Sequence, residues 1–116
     1  MDLNQIRNDL AVFAKDRDWD QFHSVRNLSL ALVGEVGELA ELLQWVDDKE
    51  MSKFLASGGR KRLGEELADV LFYLVRIADV SGIDLSSAVK EKLAENSVKY
   101  PIEKSKGNAK KYNELG

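Results

Sequence analysis

Cysteine is absent from this 116-residue sequence, and proline and histidine each occur only once. Without cysteine there is no disulfide framework, no thiolate metal site and no thiol nucleophile. No apolar run approaches the ~20 residues that span a bilayer, so we expect no membrane partner. The net charge of -3 gives no bulk attraction to nucleic acid, so we expect no nucleic-acid partner either.

The composition is that of one soluble globular domain. Hydrophobic residues make up 44% of the chain and charged residues 32%. A chain of this length buries roughly 65% of its unfolded surface. The first residues, MDLNQIRNDL, lack the basic-then-apolar order of a secretory signal peptide. We therefore expect an intracellular, cytoplasmic protein.

Apolar residues recur at three- and four-residue spacing along most of the chain, and no run of β-branched residues alternates with period two. This pattern predicts an all-α fold, an antiparallel bundle of four main helices. Ser24 and Asp84 are the expected N-caps of two helices, and Gly58 with Gly59 is an expected helix stop. The expected helices cover residues 3 to about 17, 25 to about 46, 49–56, about 60–80 and 85–100.

We expect a single helical domain over residues 1–101, followed by a polar tail over residues 102–116. Pro101 disfavours helical geometry in the residue before it, so the last main helix should end near Tyr100. The tail, IEKSKGNAKKYNELG, is rich in lysine. It is expected to be mobile or to lie on a neighbouring subunit.

Residues 30–45, LALVGEVGELAELLQW, place glutamates in an apolar part of a helix, and no lysine or arginine occurs from Asn27 to Asp48. Glu35 and Glu38 lie about 60° apart around the helix and share one face. Glutamates at this spacing also form solvated stripes, but such stripes usually carry a basic residue four positions on. The second long helix repeats the pattern with Glu66 and Asp69. The two carboxylate pairs therefore predict a site rather than a solvated surface.

Two long helices joined by a compact connection tend to pack antiparallel, which would bring the two carboxylate pairs face to face. Their mutual repulsion in a partly dry space predicts a hard divalent cation, and Mg²⁺ fits because it retains waters and shares its shell with phosphates. Gly34 and Gly37 cost the helix ~1 kcal/mol each and are expected where a helix or a ligand approaches the backbone. A di-iron site needs a Glu-x-x-His motif on two helices, and the single histidine, His23, lies outside both pairs.

The motif GEVGELAE followed by EELADVLFYL resembles the MazG-like nucleoside triphosphate pyrophosphatases of the all-α NTP pyrophosphatase superfamily. The segments RDWDQFHSVRNL, LLQW and KYP resemble the dCTP pyrophosphatase branch in particular. The similarity extends from about Phe13 to Tyr112. It implies a hydrolase that cleaves the α–β phosphoanhydride of a nucleoside triphosphate, dCTP or a related or modified dNTP, to the monophosphate and pyrophosphate. Its implied role is nucleotide-pool housecleaning.

The resemblance also implies how the carboxylates act. Glu35, Glu38, Glu66 and Asp69 would be the ligands of Mg²⁺, roughly two or three ions per site, with Mn²⁺ as an alternative ion. Either Glu35 or Glu38 would be the catalytic base that takes a proton from the attacking water. The pattern does not choose between these two.

Several aromatic, basic and polar residues are expected to bind the substrate. Aromatic rings stack on nucleobases with ~1–3 kcal/mol per base, whereas Lys and Asn contact phosphates. Other interpretations remain open: Trp45 in the core, a structural His23, and a solvated face for the last helix. The expected substrate-binding residues are Trp19, His23, Trp45, Tyr73, Lys92, Asn96 and Lys99.

Relatives in this family are dimers or tetramers, so the resemblance implies a homo-oligomer, with a tetramer (a dimer of dimers) favoured over a dimer. The second helix supports this, because its apolar residues surround too much of its circumference to share one core. These residues are Leu28, Leu30, Val33, Val36, Leu39 and Leu43. The alternative function from another class is a non-catalytic helical interaction module whose carboxylates bind a structural cation.

Overall fold

The computed structural model describes residues 1–115, so Gly116, the last residue of the expected tail, lies outside the described residues. The described part contains helices and turns and no β-strand, which confirms the all-α prediction. None of its helices is long and apolar enough to cross a bilayer. The α-helices are α1 (Leu3–Asp16), α2 (Val25–Leu43), α3 (Met51–Phe54), α4 (Arg60–Val80), α5 (Leu85–Lys99) and α6 (Ile102–Ser105).

Both expected N-caps are confirmed by their hydrogen bonds. The Ser24 hydroxyl accepts from the backbone N–H of Asn27 at 3.0 Å, and the Asp84 carboxylate accepts from that of Ser87 at 3.1 Å. Each bond satisfies an N–H that has no partner within the helix. The end of α2 differs from the prediction, because the helix stops at Leu43 and not near residue 46.

The connection between α3 and α4 is a kinked turn, Leu55–Gly59, in which Ser57 and Gly58 depart from helical backbone angles. Gly58 has a φ of +98°, a left-handed conformation that glycine adopts without the steric cost of a Cβ atom. The predicted helix stop at Gly58 and Gly59 is therefore confirmed. The next helix, α4, begins immediately after it, at Arg60.

Residues 1–83 form one compact unit in which α4 contacts both α1 and α2. Its small buried core contains Ala14 from α1, Leu28 from α2, and Val75 and Ala78 from α4. The early part of α2 shares a cavity with the late part of α4, while the end of α2 shares a groove with the start of α4. The two helices are therefore antiparallel, as predicted.

The apolar circumference of α2 is only partly covered by this unit. Leu28 is buried, but Leu30, Val33 and Val36 are exposed, Val33 by 68%. A Cβ atom on Gly34 or Gly37 would meet no heavy atom within 4 Å. No other part of residues 1–115 packs against these positions, so the expected approach of a helix or a ligand to these glycines stays a prediction.

Residues from Asp84 onward form a second compact unit that contains α5 and α6. Part of the expected tail is folded there, because a 3-10 turn at Tyr112–Glu114 brings the Tyr112 ring to 6.3 Å from the Tyr100 ring. The division between residues 101 and 102 stays a prediction. The four-helix bundle also stays a prediction, since α5 belongs to the second unit.

Candidate active site

Three of the four predicted metal ligands converge between α2 and α4. One carboxylate oxygen from each of Glu35, Glu38 and Glu66 lies within 4.8 Å of the others. The fourth, Asp69, follows Glu66 by one helical turn and lines the same cavity as Glu35. The antiparallel packing of two helices that each carry acidic residues three apart produces this cluster.

Two of these carboxylates each have one oxygen atom that is shielded from solvent and has no hydrogen-bond partner within residues 1–115. The Oε2 atoms of Glu35 and Glu66 are shielded from solvent and accept no hydrogen bond from the described residues. None of the ion pairs within residues 1–115 involves the cluster. A buried carboxylate oxygen without a donor is costly, so a bound cation would complete the site, and hard oxygen ligands of this kind suit Mg²⁺.

The cluster changes the proton affinity of its members. Burial raises the pKa of the Glu35 carboxyl above its usual 4.5, and the adjacent Glu38, Asp69 and Glu66 raise it further. Burial likewise raises the pKa of Glu66, with the charges of Glu38 and Asp69 adding to the effect. Both shifts show that the ionised forms are disfavoured in the metal-free cluster.

These raised pKa values predict how pH and Mg²⁺ affect stability. The folded state holds more protons on Glu35 and Glu66 than the unfolded state does, above the unfolded pKa of 4.5. Unfolding free energy without metal should therefore fall as the pH rises through this window. Mg²⁺ should raise the melting temperature by about 5 °C or more at neutral pH and much less near pH 4.5. Thermal unfolding with MgCl2, against NaCl of matched ionic strength, checks this, and equal stabilisation at both pH values would contradict it.

A cavity of about 340 Å³ opens beside the cluster. Aromatic and aliphatic residues form most of its wall, with Phe13 from α1 and Tyr73 from α4, while Glu35 and Asp69 form an acidic edge. His23 also lines it. A cavity of this size, apolar with a few polar groups, suits a small ligand such as a nucleobase.

Trp19 lies in the loop between α1 and α2, close to the residues that line this cavity. Its ring packs edge-on against Phe13 at 5.6 Å and is tilted against His23 at 6.2 Å. The preceding residue, Asp18, has a φ of +56°, a conformation that Asp tolerates better than most residues. Trp19 is 43% exposed, so part of its ring remains free to contact a ligand.

An open groove of about 680 Å³ lies on the other side of the cluster, lined by Glu38 and Glu66 together with Trp45 and Arg62. Trp45 is 85% exposed, so the interpretation of this residue as part of the core is wrong for the single chain. Arg62 forms no ion pair with any residue in the 1–115 range. The groove therefore combines carboxylates, a free aromatic face and one guanidinium.

A largely buried arginine on α4 joins the cavity wall to the loop before α2. Arg76 donates from Nε to the Nδ1 atom of His23 at 3.0 Å. Its other nitrogens donate to Asp20 at 2.6 Å and to Asp79 at 3.2 Å. Burial, and then the positive charge of Arg76, lowers the pKa of His23 below 6.5, while Asp20 opposes the shift.

Comparison with known proteins agrees with this arrangement of helices and carboxylates. The model of the MazG-like family matches residues 31–115. The chain belongs to the MazG-like family. It is 51% identical to mouse dCTP pyrophosphatase 1 and 49% identical to the human protein, in each case over 97% of this chain and 67% of the relative.

A solved structure shows the same fold in a third relative. A pyrophosphatase from Archaeoglobus fulgidus matches with a TM-score of 0.78 and 35% identity, over 84% of this chain and 91% of that one. The sequence-based assignment of this MazG-like chain to the dCTP pyrophosphatase branch is confirmed. Its assignment as an enzyme, a nucleoside triphosphate pyrophosphatase, is confirmed too.

The predicted substrate residues of this MazG-like enzyme fall into two groups. In the first unit, His23, Tyr73 and Trp45 line the cavity or the groove beside the carboxylates, and Trp19 packs against His23. The three on α5 belong to the second unit, where Lys92 and Lys99 both pair with Glu95, at 3.6 and 3.2 Å. This second group consists of Lys92, Asn96 and Lys99. Their role at the site stays a prediction.

The sequence analysis missed Arg62 and Arg76. Both stand on α4 at helical spacing from the acidic pair, Arg62 four residues before Glu66 and Arg76 seven residues after Asp69. This spacing places each arginine on nearly the same helix face as the carboxylate it accompanies. A single basic residue in the apolar run VLFYLVRI was the available signal for Arg76.

Proposed function

We propose that this enzyme hydrolyses a deoxynucleoside triphosphate, dCTP or a related or modified dNTP, to the monophosphate and pyrophosphate in a Mg²⁺-dependent reaction. The observation that supports this most is the cluster of Glu35, Glu38 and Glu66, with two unpartnered buried oxygens, beside an aromatic cavity. The names of its relatives support dCTP as the first substrate to test. The role would be removal of unwanted nucleotides from the pool, and a cytoplasmic location stays a prediction.

The carboxylates would hold the cation and prepare the nucleophile. Glu35, Glu38, Glu66 and Asp69 would bind roughly two or three Mg²⁺ ions, with Mn²⁺ as an alternative. The ions would supply positive charge to the triphosphate oxygens and increase the acidity of water. Glu35 or Glu38 would accept the proton of the attacking water. Glu35 lines the cavity, and Glu38 lines the groove.

The aromatic residues would bind the base. Tyr73 and His23 line the cavity directly, and Trp19 packs against His23. Trp45, almost fully exposed at the groove, offers a free ring face for stacking. The base would therefore lie beside the carboxylates, which would hold the phosphates of the same molecule.

Basic residues would bind the phosphates. Arg62 stands in the groove with Glu38 and Glu66 and forms no ion pair with residues 1–115. Its planar guanidinium can contact two phosphate oxygens at once. The α5 residues Lys92, Asn96 and Lys99 would add further contacts, as the family resemblance implies.

The active form would be a homo-oligomer, a four-helix arrangement assembled as a tetramer or, failing that, a dimer. The exposed apolar face of α2, with Leu30, Val33 and Val36, supports this proposal. Monomeric proteins seldom leave such contiguous apolar surface in water. The open space around Gly34 and Gly37 would admit the partner backbone.

A non-catalytic module with a structural cation is the alternative function. It gives no reason for free aromatic faces, a histidine and an arginine to surround the carboxylates. The enzyme class is confirmed through the relatives, so we set this alternative aside.

The direct test of the proposed function is pyrophosphate release from a panel of the standard dNTPs and 5-modified dCTP, with and without Mg²⁺. We expect release with dCTP or a modified dCTP to exceed that with the other dNTPs, and to disappear when EDTA is present. No release from any nucleotide, by protein whose fold is verified by circular dichroism, would refute the proposal.

A further inference from the structure

His23 is the only histidine in the chain, and one of its two ring nitrogens already accepts a hydrogen bond. The Nε–H of Arg76 points to its Nδ1 atom at 3.0 Å. A guanidinium has only N–H donors and does not lose its proton in proteins. Nδ1 must therefore offer a lone pair, so the ring is neutral and carries its single proton on Nε2.

We propose that Arg76 fixes His23 as the Nε2–H tautomer, so that the substrate cavity contains a permanent hydrogen-bond donor for an acceptor atom on the nucleobase. The acceptor is a carbonyl oxygen or an unprotonated ring nitrogen. The identity of the ligand in this inference rests on the proposed function. The tautomer of His23 does not, because it depends only on residues of this chain. Arg76 is a positioning residue, and His23 is the residue that would touch the substrate.

Arg76 is itself held rigidly in place. Its side chain is only 11% exposed, and Asp20 and Asp79 accept from its two terminal nitrogens. These two contacts, one from the loop and one from α4, leave Nε as the nitrogen that faces His23. Both contacts favour the orientation in which Nε–H faces Nδ1.

The charged and titratable groups around His23 have opposing effects on a second proton. The positive charge of Arg76 disfavours it, whereas Asp20 favours it. Across the shared cavity stand Glu35, Asp69 and the phenol of Tyr73, while Asp79 lies behind Arg76. Contact with Arg76 is decisive, because a proton on Nδ1 would put two donors against each other.

The base is a better partner for this donor than a phosphate is. His23 lies among aromatic side chains, with the Trp19 ring centroid at 6.2 Å and Tyr73 in the same cavity wall. A phosphate would favour a charged imidazolium, which Arg76 prevents. Neither a second proton nor a metal is required, and Nε2 forms no hydrogen bond to residues 1–115, so its donor is available.

The tautomer can be observed directly, because one histidine gives one imidazole signal set. In ¹⁵N-labelled protein, long-range ¹H–¹⁵N correlation spectra should show a bare Nδ1 and a protonated Nε2, unchanged as the pH falls through 6.5. In Arg76→Gln the ring should titrate near that ordinary value and exchange between tautomers. A proton on Nδ1 in the wild-type protein would overturn the proposal, even if the variant does not fold.

Two variants of His23 separate the effect of the Nε2–H donor from the effect of replacing the imidazole ring. Glutamine places an amide N–H close to the position of Nε2, whereas asparagine keeps an acceptor close to the position of Nδ1 and its shorter amide N–H does not reach the position of Nε2. With dCTP we expect kcat/KM to fall about 10-fold or more in His23→Asn, chiefly through KM, and by less than about threefold in His23→Gln. Equal losses in both variants would overturn the assignment of the donor.

A third measurement distinguishes a base contact from a phosphate contact. Inorganic tripolyphosphate, which lacks a base, should inhibit the wild type and His23→Asn with the same inhibition constant. Weaker inhibition of His23→Asn would assign the hydrogen bond to phosphate and overturn the base contact. If the wild-type enzyme hydrolyses no dNTP, the proposed function fails, while the spectra still decide the tautomer.

Discussion

Replacement of Glu38 by glutamine should lower the Mg²⁺-dependent rate of pyrophosphate release by at least about 100-fold. Glutamine keeps the size of the side chain and removes one negative charge from the cluster with Glu35 and Glu66. A neutral amide is a poor ligand for a hard cation, so the ion and the water it orients would be displaced. The loss should appear in kcat as well as in kcat/KM, because the carboxylate acts on the reacting groups.

The same variant should not be less stable than the wild type in the absence of metal. Glu38 repels two neighbouring carboxylates and contributes to the raised pKa values of both Glu35 and Glu66. Its neutralisation removes that repulsion, so the melting temperature in EDTA should rise or stay level. A wild-type rate in Glu38→Gln, or a lower melting temperature in EDTA, would contradict its assignment as a ligand.

Glu41→Gln is the matched control for this experiment. Glu41 lies one turn further along α2, is exposed at the groove, and is not a member of the three-carboxylate cluster. The substitution makes the same change of charge on the same helix. We expect less than about a threefold change in rate, and a large loss in this control would mean that the total charge of α2, rather than a specific ligand, controls activity.

Sequence reasoning worked best for features that depend on neighbours along the chain. Helical periodicity, and the caps Ser24 and Asp84, follow from local chemistry and appear in the structure within a residue or two. The end of α2 was misplaced because the apolar pattern continues through Trp45, although the helix stops at Leu43. No glycine or proline marks this stop, and a hydrogen bond in the turn from Val46 N–H to the Leu43 carbonyl replaces the helix.

The candidate site was predictable only where one helix carries several of its residues. Two acidic pairs on neighbouring antiparallel helices already imply a cluster, and three of their members do meet. The contact between His23 and Arg76 joins positions 53 residues apart, and no local pattern reports such a pair. The exposure of Trp45 could not be predicted from the sequence either, because the same apolar pattern is found in a core and on a surface that another molecule covers.

Replacement of Val33 by aspartate should dissociate the assembly and lower activity by about 10-fold or more. Val33 is 68% exposed in the centre of the apolar face of α2, two residues before Glu35. In a subunit interface, the carboxylate of the aspartate variant would be buried without a partner. This is far more costly than the loss of two methyl groups. Light scattering should therefore show a tetramer, or a dimer, for the wild type and a smaller species for the variant.

Val33→Thr is the control, because threonine has nearly the shape of valine and carries no charge. It should retain the assembly and most of the activity, which would separate the effect of charge from the effect of substitution at this position. Since Val33 precedes Glu35 by two residues, circular dichroism must show that the aspartate variant keeps its helices. If the wild type is a monomer that still hydrolyses substrate at high dilution, subunits share no site, and the carboxylate chemistry must be complete within one chain.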